Sequence, residues 1–263
     1  MFGATYFGQP YFGQAAPLYG VRFDNATVSP YEASLSTYSF SHTVGVNGAN
    51  RLLIVGVGIF ATGSVSSITY GGMSLTFIRS DTNGVYRSEL WYLAAPATGA
   101  NDLTVTLSAS LTSIACAQSY SNVEPSVPIG ENAGANGTNT PASSSLTTSN
   151  NLSQVIGVVS TQTASGVTND SAQAGRTSNA GALGTLSGAA RGPITPAGSS
   201  SLSWSGIGAV DSWAVSTASA QATGANLRTI NVPLGAATLA GLAASVLLSI
   251  GTPAGTAALT GLA

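Results

Sequence analysis

Hydrophobic positions along this chain fall in short runs or in every-other-residue alternation. No stretch of any length shows the three-to-four spacing of a convincing amphipathic helix. Arg51-Leu52-Leu53-Ile54-Val55-Gly56-Val57-Gly58-Ile59-Phe60 reads as a buried strand whose glycines permit bends or close backbone approach. Ser67–Tyr70 and Ser74–Ile78 flank Gly71-Gly72-Met73, a hairpin signal. Arg87–Leu93 supplies the next strand, after a turn over Asp81-Thr82-Asn83-Gly84. Leu103, Val105 and Leu107 alternate with Thr104, Thr106 and Ser108, giving one dry face and one wet one. Ile114–Tyr120 follows, then a proline-marked loop over Glu124–Gly130, with later strands at Val155–Val159 and Trp213–Val215. Spacing of this kind predicts an all-β fold, a β-sandwich, across residues 21–220. Residues 161–200 are Ala, Gly, Ser and Thr with little patterning: a long surface loop, or small-residue strands that the pattern does not resolve.

The two ends are written differently. Residues 1–20 repeat an aromatic-glycine pentapeptide that places Phe2, Tyr6, Phe7, Tyr11 and Phe12 at regular intervals. A five-residue period fits neither helix nor strand, and the segment cannot bury its own rings. It is a loose tail or an arm that orders on another subunit, and the regular rings favour the arm. In residues 221–263, Pro233-Leu234-Gly235…Leu239-Ala240-Gly241-Leu242-Ala243 returns twenty positions later as Pro253-Ala254-Gly255…Leu259-Thr260-Gly261-Leu262-Ala263. Proline and glycine at fixed places argue for a repeated extended-turn unit. Leu234–Ile250 is apolar but short for a bilayer and has no basic anchor, so no membrane span is expected.

Charge changes the picture most. The 263 residues include seven Arg, no Lys and nine Asp or Glu, so 6% are charged where about a quarter is usual. Apolar residues make up 44%, enough for a real core. A net charge of −2 without a basic cluster removes the counterion-release term, so nucleic acid is not an expected partner. Residues 1–20 have no positive n-region or continuous apolar stretch, and a secretory leader is not expected. Arg228 is the only charge after Asp211, and residues 1–21 have none.

Candidate chemistry is sparse. Cys116 lies in an apolar run with no nearby base and reads as a core residue. His42, the only imidazole, sits in the alternating pattern Tyr38–Val44 and reads as a structural strand residue. Asp81, Asn83 and Asp102 offer oxygen ligands for calcium, but their spacing favours a turn role. Arg87 and Glu89 share a strand face, which points to an ion pair beside Trp91. No catalytic residue, cofactor or metal ligand is assigned, and the chain is not expected to be an enzyme. Trp91, Tyr92, Trp204 and Trp213 are candidates for stacking against a glycan.

The Arg51-Leu52-Leu53 strand, the Tyr70-Gly71-Gly72 hairpin and Glu89-Leu90-Trp91-Tyr92-Leu93 together resemble a jelly-roll-like β-sandwich domain of tailed-phage virion proteins. The same domain type occurs in large bacterial surface proteins. The resemblance covers about residues 21–220 and is best between 50 and 130. The two ends are similar to low-complexity arms of phage structural proteins. It implies a virion location, with a head decoration or head-fibre role first and a tail or neck appendage next. Implied partners are other virion subunits such as the major capsid protein, further copies of the chain, and a host-surface glycan. Contact would run through Phe2, Tyr6, Phe7, Tyr11, Phe12, Leu239, Leu242, Leu259 and Leu262 in the arms. A carbohydrate-binding or adhesive module of a bacterial surface protein is the reading from a different class.

Overall fold

The computed structural model describes residues 20–223, and every regular element in that span is a β-strand. The first eight are β1 (Arg22–Val28), β2 (Glu32–Val44), β3 (Leu52–Phe60), β4 (Val65–Tyr70), β5 (Met73–Ser74), β6 (Thr76–Asn83), β7 (Tyr86–Ala94) and β8 (Gly99–Ser121). β8, at 23 residues, serves two layers. Its second half lies between β1 and β3 and completes an inner sheet β1-β8-β3-β7-β6. Its first half lies between β2 and β4 and completes an outer layer β2-β8-β4-β5. The strand passes from one layer to the other around Ser108–Thr112. The next eight are β9 (Ile129–Gly137), β10 (Ala142–Thr147), β11 (Ser153–Thr161), β12 (Thr168–Asn169), β13 (Ala174–Gly181), β14 (Gly184–Ile194), β15 (Ser199–Ser205) and β16 (Trp213–Ala220). They form an inner sheet β13-β14-β11-β16-β9 and an outer sheet β10-β15-β12.

These two sets are one arrangement used twice. Written in the same sense, the inner orders β1-β8-β3-β7-β6 and β9-β16-β11-β14-β13 correspond strand for strand, as do β2-β8-β4 and β10-β15-β12. Irregularities repeat with them. The β6/β7 ladder slips between Phe77 and Arg79, and the β13/β14 ladder slips at the matching place, between Gly175 and Thr177. Bulges are specific backbone features, and their recurrence at one position marks a duplicated unit. The main departure is that β8 is continuous, whereas its counterpart is divided into β15 and β16 by residues 206–212. The sandwich expected across 21–220 is therefore two sandwich units in tandem.

The units pack inner sheet to inner sheet. β3 lies over β11, β7 over β16, β8 over β14, and the edges β1 and β6 lie over β13 and β9. Each strand thus meets the counterpart of its partner, which is the isologous pattern of a twofold dimer, here within one chain. Three cores result: one inside each unit and one between the units. β3 is buried along its whole length because Leu53, Val55, Val57 and Ile59 enter its own unit's core while Leu52, Ile54 and Phe60 enter the shared one. β11 is buried on both faces in the same way, through Val155 and Val159 and through Ile156 and Val158.

Of the two readings left open for residues 161–200, the structure bears out small-residue strands, with β12, β13, β14 and the start of β15 in that span. One expectation changes. The turn expected at Asp81-Thr82-Asn83-Gly84 lies later, at Gly84-Val85, with Gly84 at φ +60. Asp81 and Asn83 stay in the strand because both bond the other unit: Ser216 Oγ donates to Asp81 at 2.7 Å, and Asn83 donates to the Gly137 carbonyl at 2.5 Å.

Close approach of the sheets depends on Gly56, at the centre of β3. A methyl there would lie 2.3 Å from Val158 Cγ1. Gly56→Ala is expected to lower stability by about 1–3 kcal/mol through overpacking. The cost should shrink when Val158→Ala is added, and urea unfolding of the two single variants and the double variant measures that coupling.

Candidate functional site

Two places gather residues whose roles go beyond the cores. The first is the pole where the described chain begins and ends. Asn122, at φ +62, donates through Nδ2 to the Gly20 carbonyl at 3.4 Å, and its own carbonyl accepts from Thr223 N at 3.0 Å. Val21 N bonds the Leu152 carbonyl of the second unit at 3.2 Å, and Val123 bridges to Ala222. The segment joining the units also starts here, so three chain passages meet at one asparagine. Two shallow hollows flank it. One is lined by Asn50, Arg51, Ala94, Ala95, Val123 and Glu124, the other by Arg22, Asp24, Asn47, Gly48 and Ser121. The arm residues Phe2, Tyr6, Phe7, Tyr11, Phe12, Leu239, Leu242, Leu259 and Leu262 lie outside the described residues, as does Leu234–Ile250. Among the described residues no helix is long and apolar enough to cross a membrane.

The second place is the outer face of the β6–β7 hairpin. Alternation along β7 puts Arg87, Glu89 and Trp91 on one face, and the register sets Thr82, Ser80 and Phe77 opposite them. Glu89 is 1% exposed and fully engaged. It pairs with Arg87, accepts from Val65 N at 3.2 Å, and accepts from Trp91 Nε1 at 3.1 Å. Arg87 also donates to Ser80 at 2.8 Å and to Thr82 at 3.3 Å. Phe77 meets Trp91 edge-to-face at 5.1 Å and remains 47% exposed. The ion pair expected beside Trp91 is present, held between two hydroxyls and a ring pair in which Phe77 is exposed and Trp91 packs partly on the first unit's core.

The chain matches no family model, no curated protein and no solved structure. Function has to be read from the geometry.

The remaining candidates are placed as follows. Trp204 is fully buried and Trp213 nearly so, the latter donating to the Asn139 carbonyl at 2.6 Å. Both rings belong to the second unit's core and offer no face to a glycan. Tyr92 points the other way from Trp91, against the core between the units. Cys116 is fully buried in that same core, and burial pushes its thiol above the usual range. Asp81 is paired with Arg79 at 2.7 Å and Asn83 with Gly137, while Asp102 lies on β8 in the outer layer, so the three do not converge. Among the described residues no three His, Cys, Asp or Glu side chains gather at one point. Sequence reasoning missed Phe77, Ser80 and Thr82 because the bulge at Ile78 spaces Phe77 three residues from Ser80 and breaks the alternation that would have joined them.

His42 is 1% exposed, with Thr27 Oγ1 2.9 Å from Nδ1 and Tyr70 edge-on to its ring. Burial lowers its pKa to about 4, against the opposing pull of Asp24. Between pH 6.5 and 4 the unfolded chain binds the proton and the folded chain does not. Stability should therefore fall as pH drops through that window, by up to about 3 kcal/mol. Urea midpoints at pH 7 and pH 4.5 should separate less in His42→Asn than in wild type.

Removal of Arg87 alone would leave Glu89 buried without its cation. Arg87→Ala should lower stability by about 3–5 kcal/mol. The double change Arg87→Thr with Glu89→Ser should cost clearly less, as read by thermal unfolding.

Proposed function

We propose that this protein is a structural component of a tailed-phage virion, a head decoration or head-fibre protein held to the particle by its two uncharged ends. One observation supports this most: Gly20 and Thr223, the first and last described residues, both bond Asn122. The two ends of the described span, to which residues 1–19 and 224–263 are joined, therefore lie side by side at one pole. Those segments contain five regularly spaced rings, a Pro-Gly-Leu repeat and only one charge, Arg228. Uncharged segments are the cheapest to bury against neighbouring subunits, since no ion has to leave water. The hollows beside Asn122 give such neighbours a shaped surface at the same pole. The folded units, which contain nearly all the charge, then stand away from the particle surface.

The mechanism is attachment: rings and small apolar side chains pack into the acceptor surface, and exposed main-chain groups pair with neighbouring strands. No step needs a catalytic group. A tail or neck appendage would use the same pole and differs only in the acceptor.

Deletion of residues 1–16 should leave unfolding of the two units unchanged and stop incorporation of the protein into particles. Sedimentation of particles assembled with the truncated protein, followed by gel analysis, checks this. Normal incorporation would sink the arm reading.

A further inference from the structure

We infer that the outer face of the β6–β7 hairpin is a binding site for a neutral polysaccharide. The duplicated unit supplies the comparison that carries this. The β13–β14 hairpin has the same register and the same bulge, so positions correspond one to one. Phe77 and Trp91 stand where the second unit has Gly175 and Ala189. Ser80 and Glu89 correspond to Ser178 and Ser187, and Thr82 and Arg87 to Ala180 and Thr185. The same six positions of that face are thus filled in the second unit by Gly, Ala, Ser and Thr alone. The matching residues Thr185, Ser187 and Ala189 are fully buried, whereas Phe77 is 47% exposed and Trp91 is partly exposed while it packs on the first unit's core. A ligand would give the exposed ring of Phe77 and the spare Arg87 N–H groups a partner.

The chemistry of the face selects the ligand. Arg87 and Glu89 cancel, so the surface has no net charge to hold an anion or a cation. The Phe77–Trp91 pair offers an apolar edge and face of the size that covers the C–H side of a pyranose ring. Beside it the Arg87 guanidinium is fixed by Glu89, Ser80 and Thr82, which engage three of its five N–H groups. The other two are free to donate to sugar hydroxyls, and the Ser80 and Thr82 oxygens can take part in the same network. Rings and donors lie along the five residues from Arg87 to Trp91, roughly 13 Å, the reach of a short stretch of sugar chain. A protein partner would need about 800 Å² on this side alone, far more than six side chains on one hairpin provide. This site is independent of the arms and of what they attach to.

The test uses the full chain in affinity electrophoresis through gels containing dextran, mannan or galactan, with indole fluorescence titration of any polysaccharide that slows it. Wild type should be retarded by at least one of the three. Phe77→Gly, which installs the second unit's residue, should weaken that binding tenfold or more while a single cooperative urea transition is retained. Trp91→Ala should abolish it. No retardation of wild type in any of the three gels would overturn the proposal. So would equal retardation of Phe77→Gly, or a Phe77→Gly effect confined to self-association in light scattering. Incorporation of Phe77→Gly into particles should be normal, which separates failure here from failure of the attachment reading.

Discussion

The structure depends on how closely β3 and β11 can approach. Gly56 leaves the notch that Val158 fills, and Gly58 leaves room for Leu186 and Ser160. Side chains at those two positions would hold the inner sheets further apart and open the core between the units. With glycine there, two strands of ordinary length are covered on both faces, and a second interior is gained from sheets that would otherwise face water on one side. The same economy of side chains runs through the second unit, where Gly188 lies against Gln118 and Cys116, and Ala190, Ala218 and Ala220 share the core between the units with Tyr120 and Leu52. Large residues of one unit meet small ones of the other, so a shared core at interior density needs few bulky residues in total.

Covalent linkage changes what such an interface requires. Two separate subunits meeting through glycine, alanine and serine would gain little from each contact and lose the freedom of free association. Joined by residues 124–128, they meet at high effective concentration, and a polar interface suffices. The Ser88–Ser216 contact at 2.8 Å and the Arg79–Asp81 pair, with Arg79 donating to Asn132 at 2.9 Å, lie in this junction. Linkage also frees the copies to differ. The first unit has aromatic and ionic side chains on its β6–β7 hairpin, while the second has small residues at the same positions.

What could be read from the sequence follows from this division. The first unit has bulky strands, and alternation or apolar runs located β3, the β4–β5 hairpin, β7 and both halves of β8. The Arg87–Glu89 pair and the buried Cys116 were legible for the same reason. In the second unit the pattern located β11 and the start of β16, and the rest was hidden. Beyond Val215, β16 continues as Ser-Thr-Ala-Ser-Ala and is buried at every position, and β9, Ile-Gly-Glu-Asn-Ala-Gly-Ala-Asn-Gly, alternates only between grades of small residue. A strand with two covered faces and hydroxyls bonded within the sheet stack leaves no period-two signal to find. The duplication was invisible because what the copies share is backbone, register and bulges, whereas pattern reading follows side chains. Asn122 was equally silent, since its role comes from a left-handed backbone and from partners more than a hundred residues distant.

The convergence of both ends at Asn122 also decides how the molecule meets mechanical force. β1 leaves this pole as the first strand and β16 returns to it as the last, each running along the long axis of its sheet. A pull through either end, resisted at the hairpins of the opposite pole, slides β1 along β8 or β16 along β9 and β11. All the hydrogen bonds of a ladder then share the strain at once, instead of opening one by one from an end. Two terminal strands in shear, each backed by a buried sheet, make the folded units hard to unravel from either end.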